Sequence, residues 1–153
     1  MIRSARVLTA CTLALAAAAP IAFAEPQFDN TQEAVAYRQA ALRLMGAHFN
    51  GLAPVMRGRA TFDAAAVQQE VAVLRTLATL PWRGFADGAE GGNAQPAVWK
   101  DSARFEAALK NFQQSMGRLS QVAGEGDFDT IRAAYGDVAA SCKACHQDFR
   151  QRR

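Results

Sequence analysis

Apolar residues recur at alternating spacings of three and four over most of this 153-residue chain. This period is typical of one face of an α-helix, whereas a half-buried strand alternates with a period of two. The pattern occupies four segments, at about 31–52, 62–79 and 96–123 and from 128 almost to the C-terminus. Because each helix must bury its apolar face, the sequence predicts an all-α fold, an antiparallel, up-down-up-down four-helix bundle.

Residues with strong preferences for helix ends set the expected limits of the first two helices. Asn30 with Glu33 resembles a capping box, and Gly51 with Pro54 is expected to end the first helix. The second helix is expected to begin after Thr61 as its cap and to stop before a proline at position 81.

The third helix is expected to begin near Pro96, a residue suited to a first helical position, and to end at Gly124 and Gly126. Asp127 is a good cap for the fourth helix. Between the second and third helices, residues 80–95 show no helix pattern and contain four glycines. Structureless connections of that length are uncommon in compact domains and are often functional.

The N-terminus has the features of a secretory signal peptide over residues 1–24. Arg3 and Arg6 precede an uncharged apolar run, and a small-x-small sequence predicts cleavage before Glu25. The run is shorter than the roughly 20 apolar residues that span a bilayer. We therefore expect export to the periplasm and no membrane insertion. The residues around Cys11 resemble a lipoprotein box, but the apolar run continues past Cys11, which disfavours lipid attachment.

Composition narrows the class further. Half of the residues are hydrophobic, which excludes an intrinsically disordered chain. The net charge of +3 is reduced by cleavage, because the leader carries two of the 17 basic residues and none of the 14 acidic ones. The nearly neutral remainder has no basic patch of the kind that binds nucleic acid.

One motif in the last segment carries chemistry. Cys142-Lys143-Ala144-Cys145-His146 has the C-x-x-C-H spacing that attaches c-type haem. On a helix, residues three and four apart share a face, so both thiols can bond to the vinyl groups of one porphyrin. The following imidazole is then placed to ligate the iron. The sequence predicts one haem c enclosed by the bundle and held covalently.

Other uses of two cysteines fit less well. A structural zinc site needs four ligands, and His48, the second histidine of the chain, belongs to another helix. A thioredoxin-like motif expects a βαβ context. A disulfide across C-x-x-C would close a very short loop and stabilise little.

The chain resembles the class II c-type cytochromes, specifically the cytochrome c′ family. The resemblance rests on the C-x-x-C-H motif and three further blocks in matching order, which are Tyr37-Arg38-Gln39, Leu80-Pro81-Trp82 and Glu90-Gly91-Gly92-Asn93. It covers nearly all of residues 28–150. It implies an electron-transfer role, binding of nitric oxide and carbon monoxide, and a homodimer formed through the first two helices.

The resemblance also implies roles for residues around the haem. His146 would be the proximal ligand, and Arg38 and Gln39 would contact a propionate. Arg38 interrupts an apolar seam, where a buried cation needs an anion; the alternative is an arginine that extends its charge to solvent. Asn93 stands where the family often has Asp near the haem edge. Arg150 would lie beside the proximal pocket, unless it is a solvated charge at a helix C-terminus.

On the distal side the resemblance places Leu42, with Trp82, Phe85 and Phe112 completing an apolar wall; each could equally be an ordinary core residue. An apolar residue above the iron cannot ligate, which predicts five-coordinate, high-spin iron. The alternative is a low-spin electron carrier with Met45 as sixth ligand, although a core methionine is the commoner explanation. We found no distal acid–base His or Arg beside Leu42, so we expect no enzyme activity.

Overall fold

The computed structural model describes residues 28–152, so the leader and Cys11 lie outside the described residues. The chain order is α1 (Thr31–Met56), α2 (Ala64–Leu77), a 3-10 helix (Pro81–Phe85), α3 (Ala97–Lys100), α4 (Ser102–Glu125) and α5 (Phe128–Phe149). Within 28–152 the only strand-like pairing is one isolated bridge. The all-α prediction is confirmed.

The four long helices form one bundle, in which α1 packs on α2, α2 on α4, and α4 on α5. Their apolar faces meet in a main core of buried, mostly aliphatic side chains, of which Leu74, Leu119 and Ile131 are fully buried. The alternating direction of the helices stays a prediction. No helix in the described part of the chain is long and apolar enough to cross a membrane.

Helix α1 begins as expected but ends later than predicted. The side chain of Asn30 accepts a hydrogen bond from the backbone N–H of Glu33 at 3.0 Å. The predicted stop at Gly51 and Pro54 is wrong, because α1 continues to Met56 with Pro54 inside its last turn. Leu52 and Met56 are buried in the main core, and this burial outweighs the hydrogen bond that the proline removes.

The prediction that Thr61 caps α2 is wrong, because the cap is Asp63. The Asp63 carboxylate accepts a hydrogen bond from the backbone N–H of Ala66 at 3.1 Å. Phe62 lies before the cap and packs on Phe128, with ring centroids 5.0 Å apart. The helix then ends at Leu77, slightly before the predicted limit.

The predicted third helix is two helices. The backbone of Asp101, with φ −127° and ψ 55°, separates α3 from α4. Trp99 in α3 donates its indole N–H to the carbonyls of Phe85 and Ala86, each at 3.1 Å. This tertiary anchor holds α3 against the preceding connection. Gly124 lies inside α4, and only Gly126, with φ +79°, ends it.

The connection over residues 80–95 is folded, contrary to expectation. Its first part is the 3-10 helix, which packs closely on α1. A Cβ atom on Gly84 would lie 2.7 Å from both the carbonyl oxygen of Ala34 and the Cβ of Arg38, so only glycine permits this approach.

The end of the connection is tied to the C-terminus. Ala94 and Arg150 form the isolated bridge. The backbone N–H of Gln95 donates to the carbonyl of Phe149 at 2.8 Å, and that of Gln151 donates to the carbonyl of Asn93 at 2.9 Å. These bonds hold the glycine-rich turn beside the end of α5.

Candidate functional site

A cavity of about 440 Å³ lies between α1, the 80–95 connection, α3, α4 and the end of α5. Its walls mix aromatic and aliphatic side chains with three arginines and no carboxylate. The lining residues are Arg38, Gln39, Leu42, Arg43, Trp82, Phe85, Asn93, Ala94, Val98, Phe105, Cys145, His146, Phe149 and Arg150. The volume is in the usual range for ligand and cofactor sites.

The C-x-x-C-H motif lies in the last turns of α5, where Cys145 and His146 line the cavity. Cys142, one turn earlier, is half-buried and packs against the main core. The two cysteines do not form a disulfide. Burial raises the pKa of each thiol.

His146 faces open cavity space, yet the surrounding walls remove enough water to affect its charge. Burial lowers the pKa of His146, and the positive charge of Arg150 lowers it further. Both effects favour the neutral imidazole, which is the form that ligates a metal.

Arg38 is 2% exposed and its guanidinium is enclosed by the 80–95 connection. It donates hydrogen bonds to the carbonyls of Gly84, Ala89 (2.5 Å) and Gly91 (2.8 Å). It also lies over the ring of Phe85, 4.7 Å from the centroid. Among the described residues, its hydrogen-bond acceptors are backbone carbonyls of the connection.

The buried guanidinium is therefore costly to charge. Burial lowers the pKa of Arg38, while the nearby charge of Glu90 acts in the opposite direction. A guanidinium stays protonated in proteins in spite of such a shift. Arg38 therefore places a permanent positive charge at the cavity wall.

Gln39 and Asn93 come together from distant parts of the sequence, and both line the cavity. A Cβ atom on Gly92 would lie 2.7 Å from Nε2 of Gln39, and Gly92 has φ +58°. The glycine thus allows the turn to pass directly over Gln39.

The predicted distal wall is only partly assembled as expected. Leu42, Trp82 and Phe85 line the cavity. Phe112 does not; it is buried in the main core behind Trp82, with ring centroids 5.6 Å apart. Phe112 supports the indole and does not form the cavity surface.

Met45 and His48 both lie away from the cavity walls. Met45 is 9% exposed and belongs to the main core. His48 is partly exposed, and its Nδ1 lies 2.6 Å from a carboxylate oxygen of Glu70 on α2.

Five lining residues were missed by the sequence analysis. Phe105 and Phe149 lie on apolar seams of their helices and so read as core positions, whereas Ala94 and Val98 carry no signal. Arg43 corrects the expectation that no arginine lies beside Leu42, because it is the next residue and also lines the cavity. Its charge next to a seam residue is the signal that could have identified it.

These residues fit a covalently held haem. Aromatic and aliphatic side chains in the walls suit the faces of a porphyrin, and the tethering thiols and the imidazole are adjacent on α5. The three arginines offer counter-charges for two propionates. A metal bound by side chains alone fits less well, since no three His, Cys, Asp or Glu side chains meet anywhere in residues 28–152.

The bundle, the motif and the cavity together define a class, the helical-bundle c-type haem proteins. A model of the Cytochrome C' family matches residues 33–150, and the chain belongs to that family. This agrees with the resemblance found in the sequence.

Individual relatives support the same membership. The chain is 48% identical over 127 residues to cytochrome c′ of Alcaligenes xylosoxydans xylosoxydans, covering 83% of this chain and all of that protein. It is 37% identical over 129 residues to cytochrome c′ of Rubrivivax gelatinosus, covering 82% and 100%.

Solved structures give the same picture. A ferrous variant of cytochrome c prime from Alcaligenes xylosoxidans with bound NO superposes with a TM-score of 0.82 at 46% identity, covering 83% of this chain and all of that one. A nitric oxide complex of another variant matches equally well, with a TM-score of 0.82.

Proposed function

We propose that this chain is a periplasmic monohaem cytochrome that transfers electrons and binds nitric oxide and carbon monoxide. One haem c would be bonded through Cys142 and Cys145, with His146 as proximal ligand. The observation that carries the proposal is the position of the motif, because its Cys145 and His146 form one wall of the cavity. When bound, the haem supplies an iron that accepts one electron and binds diatomic gases.

The chain's own residues would prepare the site for that group. The two thiols hold the macrocycle in one orientation, and the neutral imidazole of His146 offers its lone pair. Trp82, Phe85 and other rings exclude water from the faces. Arg38 and Gln39 would bind a propionate, with Asn93 and Arg150 at the rim beside the C-terminal contact.

Leu42 supports five-coordinate, high-spin iron. Its side chain lines the cavity and contains no ligating atom. The second candidate is a low-spin carrier with Met45 as sixth ligand, and the burial of Met45 in the main core argues against it. An apolar distal residue also gives no hydrogen bond to stabilise bound oxygen, which favours nitric oxide and carbon monoxide.

We assign no catalytic residue. The only histidine that lines the cavity is His146, which the proposal uses as a ligand. Arg43 cannot serve as a general base because guanidinium does not lose its proton in proteins. A peroxidase-like role therefore lacks its distal base.

The described residues also favour the homodimer that the resemblance implied. Leu44 on α1 and Val73 on α2 are 49% and 41% exposed, and they are the large hydrophobic residues that the bundle leaves uncovered. We propose that the α1–α2 faces of two copies cover each other. A Leu44→Glu variant should elute as a monomer in size-exclusion chromatography with light scattering; an unchanged dimer would contradict this interface.

The haem proposal is tested on protein purified from the periplasm. Its mass should equal the chain from Glu25 onward plus one haem, and the Cys142→Ser/Cys145→Ser variant should lose that addition. The ferric optical and electron paramagnetic spectra should be high-spin and should change on addition of nitric oxide. A mass equal to the bare polypeptide would overturn the assignment, and a low-spin spectrum that ignores nitric oxide would favour the Met-ligated carrier.

A further inference from the structure

We infer that Arg43 is a second cation for the haem carboxylates, paired with the propionate that Arg38 leaves without a partner. The inference rests on the haem of the proposed function.

A guanidinium has five N–H donors. Nη1 of Arg38 donates two of them to the carbonyls of Gly84 and Ala89, and Nη2 donates one to the carbonyl of Gly91. Two donors are left, one on Nη2 and one on Nε. Arg38 can therefore hold a single carboxylate by a bidentate contact and has nothing to offer to a second one.

Haem carries two propionates, and the cavity walls hold no other anion. Two cations besides Arg38 are available, Arg43 and Arg150. Arg150 follows His146 by four residues at the end of α5, and its backbone N–H donates to the carbonyl of His146 at 3.3 Å, which places Arg150 on the proximal side. Arg43 lies on α1, one turn after Gln39, and so shares the face of α1 that Gln39 presents to the cavity.

Arg43 differs from two other arginines of the bundle that have carboxylate partners. Arg104 pairs with Asp148 at 2.5 Å, and Arg132 pairs with Asp129 at 3.0 Å. Within residues 28–152, the side chain of Arg43 has no hydrogen-bond or ion-pair partner. Arg43 is exposed to solvent, and the cavity lining contains no acidic residue. The carboxylates of the proposed occupant are therefore the anions that the cavity would bring to Arg43.

A cation beside the haem has two measurable consequences. It opposes the extra positive charge of ferric iron and so raises the reduction potential. It also lowers the pKa of the propionate that it pairs with, which removes the titration of that propionate from the neutral pH range.

The test uses the haem-loaded protein in spectroelectrochemical titrations between pH 5 and pH 9. Arg43→Gln should lower the midpoint potential. It should also make the potential fall as pH rises, because the released propionate now titrates and has the higher pKa when the iron is reduced. Arg43→Lys keeps the charge and should restore most of the potential. Arg118→Gln, an exposed arginine on α4 outside the cavity walls, controls for the loss of a distant charge.

Two results would overturn the inference. In the first, Arg43→Gln behaves like Arg118→Gln in both potential and pH profile. In the second, the potential is unchanged but azide or nitrite binds the iron more weakly, which would make Arg43 a site for added anions. The haem mass of each variant is measured first, so that loss of the cofactor, which tests the proposed function, is distinguished from failure of this assignment.

Discussion

The main core and the cavity region are built by the same helices but are packed differently. In the main core, Leu119 of α4 and Ile131 of α5 are fully buried among aliphatic neighbours. Further along the same two helices, Phe105 and Phe149 form a smaller aromatic cluster that borders the cavity. Their ring centroids are 5.2 Å apart at an angle of 79°.

The length of α2 explains the difference. Helix α2 has 14 residues, whereas α1, α4 and α5 have 26, 24 and 22. Where α2 ends, the 80–95 connection takes its place against α1 and holds Arg38 by backbone carbonyls. A connection with four glycines has fewer side chains to fill the interior than a helix has. The cavity therefore exists because α2 stops at Leu77, well short of the length of the other three helices.

The largest expected effect is a loss of stability from a change in the main core that leaves the cavity region unaltered. Leu119→Ala removes a fully buried side chain from the main core and should cost about 2–5 kcal/mol of unfolding free energy. Urea unfolding followed by circular dichroism measures it. The visible spectrum of the folded variant should stay that of the parent; an altered haem spectrum would mean that the regions are coupled. Gln114→Ala, at an exposed site on α4 outside the proposed dimer interface, should change stability by less than about 0.5 kcal/mol.

Gly84→Ala tests whether the close approach of the connection to α1 shapes the cavity. The new Cβ would meet backbone at 2.7 Å, so the 3-10 helix must shift, at a cost of about 1–3 kcal/mol. Backbone amides of residues 84–92 should exchange hydrogen faster. Gly46→Ala is the matched control, since its Cβ meets nothing within 4 Å and α1 should gain up to about 1 kcal/mol. Equal effects of the two changes would refute the role of Gly84.

Leu42→Ala acts on the cavity more than on stability, because Leu42 is only partly buried. The smaller side chain should open the distal face and speed the binding of carbon monoxide and of larger ligands. Stopped-flow mixing with ferrous protein measures these rates. Leu109→Ala, a partly buried residue of α4 that does not line the cavity, should leave them unchanged. Parent-like kinetics in Leu42→Ala would count against Leu42 as the distal gate.

The smallest effect concerns the cap of α5. The hydroxyl and the backbone N–H of Thr130 hold the pKa of Asp127 below its ordinary value of 3.8. Because folding lowers this pKa, the ionised carboxylate stabilises the folded state at pH values above 3.8. This stability is lost as the pH falls through the pKa of the folded state. Asp127→Ala should therefore lower Tm by a few degrees at pH 7, and the difference should shrink in acid. A difference that persisted in acid would assign the effect to something other than the carboxylate.

Local signals predicted much of the fold. The caps Asn30 and Asp127 were identified correctly because a cap is a contact over three residues. Sequence analysis missed the continuation of α1 through Pro54, because burial of its last residues in the main core decides it. It also missed the break at Asp101, because the tertiary hydrogen bond of Trp99 decides it. Phe112 and Arg43 were misjudged for the same reason, since the helical period does not distinguish a core wall from a cavity wall.

The sequence by itself determined the helical period, the tethering motif at Cys142 to His146 and the resemblance to a family. Each of these depends on residues close together in the chain. Only the tertiary structure decided where the cavity opens, how Arg38 is enclosed and which cations line the walls. Those features depend on the meeting of α1, the 80–95 connection and α5, which are far apart in sequence and brought together by burial of apolar surface.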